Sequence, residues 1–140
     1  MKFGYGVKVV EPCNLYGCQI GDGSFVGPFV EIQSKAIIGK NCRIQSHSFI
    51  CFLVKIGDSC FIGHGVMFTN DVFKSGTTSL DPNDWLPTIV GQNVAIGSGA
   101  TILPVKVSDG IVIGAGAVVT KDLTIKGFYA GNPAKLLRKF

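Results

Sequence analysis

The residues of this 140-residue chain best equipped for chemistry gather in its middle: His47, His64, Asn70, Asp71, Asp84 and Trp85. His47 and His64 are its two histidines. An imidazole can take up or deliver a proton near neutral pH. A carboxamide such as Asn70 donates to one group while accepting from another. Asp71 and Asp84 could hold a hydroxyl or an ammonium group, or could simply solvate the segment that carries them. The indole of Trp85 could stack on a sugar or a base, or anchor its segment on a neighbouring subunit. A zinc site of the hydrolase type needs three histidines. With two, and no third ligand of evident placement, no metal is expected.

Whether these groups meet depends on the frame that carries them. A six-residue ruler set at Ile20 lands on Val26, Ile32, Ile38, Ile44, Ile50, Ile56, Ile62 and Phe68. Four places after each mark stand small or β-branched residues: Ser24, Val30, Ala36, Cys42, Ser48, Val54, Cys60 and Val66. Gly often follows the mark, as at positions 21, 27, 39, 57 and 63. This is neither a helical period nor simple strand alternation. It reads as a short strand and a tight corner, repeated. Three hexads make a triangular coil of 18 residues, and residues 18 apart stack at about 4.8 Å, the ordinary distance between strands. Cys42 and Cys60 then share one inward ladder with Ser24 as small core fillers.

The ruler stops at Asn70 and resumes at Val90, Ile96 and Ile102, so a loop over about 70–89 leaves the coil. The next hexad is one residue short at Pro104, which predicts an adjusted corner before Val107, Ile113 and Val119. After Pro133 the run AKLLRK could form a short helix that caps the open end of the stack.

His47 lies three places after Ile44, and His64 two places after Ile62. Both marks belong to one ladder in adjacent coils, so both imidazoles are expected at one corner, within about one strand spacing. Asn70 falls at the next corner, where the loop leaves. His64 is the first candidate for a base or substrate-orienting group, and His47 the second.

Composition sets outer bounds. Hydrophobic residues make up 46% and charged residues 16%, which suggests one domain over 1–140 with much buried surface, part of it between subunits. Outward Phe25 and Phe61, and Phe49 and Met67, form stripes too apolar for open water and point to a subunit contact. The net charge of +4 is too diffuse for nucleic acid. Lys135, Arg138 and Lys139 gather at the C-terminus, where an anionic small molecule could bind, though a solvated tail reads equally well. Five cysteines without CxxC spacing suggest free thiols in a reducing cytoplasm. No apolar run is long enough to span a bilayer.

The hexads IGDGSF, IGKNCR, IGDSCF and IGSGAT, with IGAGAVVTKD and AGNPAK, resemble the hexapeptide-repeat acyltransferases. The likeness runs from about Cys13 to Lys135. The stretches CNLYGCQIGDGSFVGPFVEIQ and IQSHSFIC…IGHGVMFTND are most similar to nucleotide-sugar N-acetyltransferases. The resemblance implies an all-β fold, a left-handed parallel β-helix, although crossover connections are generally right-handed. It also implies a homotrimer with sites between subunits. The implied reaction is acetyl transfer from acetyl-CoA to the amine of a nucleotide-linked amino-deoxy sugar, with dTDP-3-amino-3,6-dideoxyhexose the favoured acceptor, for bacterial surface polysaccharide.

By the same resemblance, Asn70 contacts the sugar. CoA lies against Gly97, Ser98, Gly114, Ala115, Gly116, Thr120 and Lys121, with Lys121, Lys135 and Arg138 available to its phosphates. Nucleotide contacts are sought among Tyr16, Gln33, Arg43 and Gln45, outward residues of the early coils. O-acetylation of a sugar or antibiotic, and a trimeric scaffold without catalysis, stay open as alternatives.

Overall fold

The computed structural model describes residues 1–140. The ruler becomes geometry: two-residue strands alternate with tight corners, and three strands complete a coil. The strands stack into three parallel sheets of six, eight and six strands, the faces of a triangular prism. Along the first face Ile20 opposes Ile38, which opposes Ile56. Along the second, Val26, Ile44 and Ile62 align, and along the third, Ile32 and Ile50. The result is a left-handed parallel β-helix. Six full coils rise from Lys2–Phe3 to Val118–Val119.

Each full corner holds four residues, and except at Val10–Cys13, where Pro12 stands third, the third takes a left-handed backbone: φ is 61° at Phe29, 65° at His47, 64° at Gly65 and 71° at Gly99. A side chain in that conformation costs roughly 1–2 kcal/mol, so glycine favours the position. Where a side chain occupies that place, its own N–H bonds to the coil below, as from Phe29 N–H to the Pro12 carbonyl at 2.7 Å and from Asn41 N–H to that of Asp22 at 2.8 Å.

The core is the inside of the prism. Ile20, Ile32, Ile38, Ile44, Ile50 and Ile62 are all buried, each contributing about 1.5–3 kcal/mol by leaving water. The buried hydroxyls are satisfied. Ser24 donates to the Gly39 carbonyl at 2.8 Å and Ser48 to that of Gly63 at 2.7 Å. Thr88 donates to Leu103 at 3.2 Å. The cysteines are free thiols. Cys42 and Cys60 donate to the Gly57 and Gly91 carbonyls, each at 3.1 Å. The neighbouring Cys42 and burial raise the Cys60 thiol, and burial pushes Cys51 up to about 11.

The ends of the coil depart from the ruler. The repeat begins before Ile20: Phe3, Val9 and Leu15 end the strands of a first coil paired with the second. The corner Tyr16–Cys18 is one residue short, which shifts that coil off the strict hexad and hides it from the ruler. The same device recurs at Leu103–Val105, the adjusted corner expected at Pro104, after which Ile89 opposes Lys106.

The C-terminal cap is not helical. Gly127–Ala130 pairs parallel with Val112–Ile113, and Lys135–Lys139 returns antiparallel along it. A six-residue run cannot offset the cost of nucleating a helix. An open strand edge offers it a full set of hydrogen-bond partners. No helix is long and apolar enough to cross a membrane.

Candidate active site

The corner between the second and third faces carries the histidines. Its rows run up the prism, one coil per step. The third-place row reads Phe29, His47, Gly65, Gly99, Gly116, and the second-place row Pro28, Ser46, His64, Ser98, Ala115. His47 and His64 therefore share a corner in adjacent coils, one residue out of step. The hydrogen bond from Gly65 N–H to the Ser46 carbonyl, 3.0 Å, and that from Gly99 N–H to the His64 carbonyl, 2.9 Å, lock the offset. Both imidazoles are exposed. The His47 ring lies 5.1 Å from that of Phe29, tilted by 34°.

The corner changes character at His64. Below it the rows carry side chains; above it they carry almost none. A Cβ at Gly65, Gly99 or Gly116 would meet nothing within 4 Å, so these glycines form an open rail. The first-place glycines differ. A Cβ at Gly63 would meet the Ile96 carbonyl oxygen at 2.7 Å and the Ser98 nitrogen at 2.8 Å, and one at Gly97 would meet Ala115 nitrogen at 2.5 Å. They allow the coils to close up. Beside the rail, on the second face, Phe61 and Phe128 bracket Ala95 and Val112 in a shallow apolar groove of about 290 Å³ that also touches Gly97, Gly114 and Ala115.

Of the residues expected against a coenzyme, Gly97, Ser98, Gly114, Ala115 and Gly116 come together on this rail. Lys135 pairs with Ala130 at the upper end of the second face, and Arg138 with Phe128. The Arg138 guanidinium lies over the Phe140 ring at 5.6 Å. Thr120 and Lys121 sit at the third corner, away from the rail on the same chain.

The loop leaves from the third corner. It spans 70–87, and buried Thr88 already occupies the inward ladder again. Leu86 N–H closes its neck on the Asn70 carbonyl at 2.8 Å. Inside, three of the candidate residues converge on Ser79. Asp71 accepts from Ser79 N–H at 2.7 Å and from Phe73 N–H at 2.9 Å. Asp84 accepts from the Ser79 hydroxyl at 2.7 Å, and the Trp85 indole donates to the Ser79 carbonyl at 3.1 Å. The Trp85 ring meets Phe52 of its own chain edge-on at 5.9 Å. These groups shape the loop and seat it on the coil.

The early-coil candidates are dispersed. Arg43 lies over the Phe25 ring at 4.5 Å on the second face. Gln45 stands at the histidine corner in the row of Gly63. Gln33 donates to Glu31 at 3.0 Å and accepts from Phe52 N–H at 3.2 Å, and Tyr16 is exposed at the third corner. Phe29, Asn14 and Glu31 escaped the sequence reading. A phenylalanine in the left-handed place of a corner, eighteen residues before His47, was the one signal for them.

Two family models match the chain: bacterial transferase hexapeptide (six repeats) over 17–51, and the hexapeptide repeat of succinyl-transferase over 87–121. This chain is a hexapeptide-repeat protein. Between them the models cover coils on both sides of the loop, where the strands of this hexapeptide-repeat protein pair without a break in register. It is 33% identical over 128 residues to the bifunctional protein GlmU of Clostridium botulinum, covering 86% of this chain and 28% of that protein. It is 33% identical over 104 residues to the acyl-[acyl-carrier-protein]–UDP-N-acetylglucosamine O-acyltransferase of Brucella ovis, covering 71% of this chain and 33% of the relative. The chain thus spans about a third or less of the length of these relatives.

Among solved structures, a variant of AntD, an N-acyltransferase from Bacillus cereus in complex with dTDP and coenzyme A, superposes with a TM-score of 0.87 at 17% identity. That match covers 99% of this chain and 83% of AntD. PerB from Caulobacter crescentus, in complex with CoA and GDP-perosamine, gives 0.68 at 23% identity, covering 94% and 54%. At these identities the likeness is one of fold.

Proposed function

We propose that this hexapeptide-repeat protein is an acyltransferase that moves the acetyl group of acetyl-CoA to the amine of a nucleotide-linked amino sugar. One observation carries the reading. His64 stands exposed where a corner crowded with side chains gives way to an open rail of glycines. A long, thin donor can lie against bare backbone above His64, and the acceptor can approach over the side chains below it. The matched transferase family and the CoA complexes of AntD and PerB support the donor. Their nucleotide and nucleotide-sugar ligands support the acceptor class.

In the proposed reaction the neutral amine attacks the thioester carbonyl, a C–N bond forms, and the C–S bond breaks. His64 takes the amine proton and passes it to the departing thiolate, within the general-base contribution of about 10²–10⁴. His64 and the loop stand at different corners of one chain. A homotrimer that sets the histidine corner of one copy beside the loop corner of the next brings Asn70 to the acceptor. Outward Phe61 and Met67, both exposed, supply apolar surface for such a contact.

The test is thiol release from acetyl-CoA across a panel of dTDP- and UDP-linked amino sugars, with the product identified by mass. An N-acetyl product, lost in His64→Ala, is expected. Release with plain sugars or alcohols but not with amines would mean O-transfer. Absence of CoA binding by calorimetry would leave a scaffold.

A further inference from the structure

Below the histidines, a second cavity, shallow and open to solvent, lies on the third face. It holds about 330 Å³ and is lined by Pro12, Cys13, Asn14, Phe29, Val30 and Glu31. Phe29 is 58% exposed, high for so large an apolar ring, and it is held in a left-handed backbone with φ of 61°. The His47 ring packs at its side. Glu31 is half-buried and fixed through both oxygens. Asn14 Nδ2 donates to Oε1 at 3.2 Å, and Gln33 Nε2 donates to Oε2 at 3.0 Å. A carboxylate is an acceptor only, and each of its oxygens keeps a second lone pair. The cavity thus offers an aromatic wall beside an acceptor, oriented through both oxygens, for an N–H group.

We propose that this cavity seats the nucleobase of the acceptor. The base stacks on Phe29 and donates its ring N–H to Glu31, which selects thymine, uracil or guanine. Adenine and cytosine have no ring N–H on that edge: they reach the carboxylate only through an exocyclic amine, with a bare ring nitrogen beside it. The inference rests on the nucleotide-linked acceptor proposed above and specifies where its carrier lies. Spacing along the corner supports it. Glu31 stands two coils below His64, and Cys13 three, about 10–14 Å at one strand spacing per coil. A diphosphate joining a sugar to a nucleoside bridges such a gap. The acceptor then occupies coils one to four and the donor coils four to six, and the two meet only at His64.

The experiment is calorimetry of the full chain with dTDP, UDP, GDP, ADP and CDP, without CoA, so that turnover is not needed. Expected is binding of the first three, with ADP and CDP at least about tenfold weaker, the scale of one lost charge-assisted hydrogen bond. Glu31→Gln should weaken the first three about tenfold and level the preference. Phe29→Asn, which tolerates the left-handed backbone, should weaken all five, while Phe29→Tyr retains binding. Melting temperatures near the parent's certify each variant.

Failure of every nucleoside diphosphate to bind, or binding unchanged in both Glu31→Gln and Phe29→Asn, overturns the proposal. So does equal binding of the corresponding sugar 1-phosphates in competition for the same cavity. Nucleotide binding with this pattern but no acyl transfer would sustain the cavity assignment and remove the proposed reaction. Acyl transfer with a KM for the nucleotide-linked acceptor indifferent to both variants would do the reverse.

Discussion

His64 and His47 share one corner of the coil but not one row: His64 aligns with Ser46 below it and Ser98 above, while His47 aligns with Phe29 and Gly65. The two imidazoles are therefore not equivalent. One stands at the foot of an open rail; the other packs against an aromatic ring.

The offset predicts different kinetic signatures. His64→Ala should lower kcat by about a hundredfold or more, the lower range of a lost general base, with little change in acetyl-CoA KM. His47→Ala should act mainly on the KM of the acceptor, because it removes the ring against Phe29. Initial rates at varied concentrations of both substrates separate the two. Near-normal kcat/KM across pH in His64→Ala would end its assignment as base.

The glycines of the corner split into two classes that substitution can tell apart. Gly63→Ala forces a Cβ against main-chain atoms of the next coil. It should cost about 1–3 kcal/mol, as overpacking does, seen as a lower midpoint in urea. Gly99→Ala meets no neighbour and strains only its own backbone, φ 71°. It should cost about 1–2 kcal/mol, yet weaken acetyl-CoA binding at least severalfold by placing a methyl group on the rail. Calorimetry and denaturation on the same preparations give both numbers.

Loop and coil should melt separately. Asp71 and Trp85 organise the loop through Ser79, and Trp85 meets the coil at Phe52. Asp71→Asn removes charge-assisted bonds worth about 1.5–3 kcal/mol each, and Trp85→Ala removes the anchor. Both should raise amide exchange and proteolysis over 71–86 while moving the global midpoint little, because the inward ladders close beneath the loop at Thr88. A large loss of global stability would show that the loop is part of the core.

Stability should fall at alkaline pH. Burial raises the Cys51 thiol from 9.0 to about 11. The folded state holds this proton more tightly than the unfolded chain. The contribution is thus full below about pH 9 and is lost as pH rises to about 11. At about 1.4 kcal/mol per unit, the loss approaches 2–3 kcal/mol. Cys51→Ala should flatten this part of the curve in urea melts between pH 8 and 11. An unchanged slope would mean that Cys51 is not the group responsible.

Much of this protein was legible in order of residues alone, because its contacts repeat at a constant separation. In a solenoid, residue i touches i+17 or i+18, so a hexad of Ile, Gly and small residues states both the local turn and its long-range partner. The ladders, the loop as an interruption at a corner and the common corner of the histidines follow from that spacing.

Tertiary structure decided what the period could not carry. Three-residue corners at Tyr16–Cys18 and Leu103–Val105 shift the register by one, so the first coil was invisible to a strict ruler. The tail became a strand pair because an open sheet edge outweighed the weak helical preference of AKLLRK. The one-residue offset of His64 from His47 arises from where each falls within its corner. The cavity of Phe29 and Glu31 exists only once the first coil stacks beneath the second. A repeating sequence determines which ladder a residue joins. The side chains that meet across coils, and the space left between them, are set by corners that differ by a single residue.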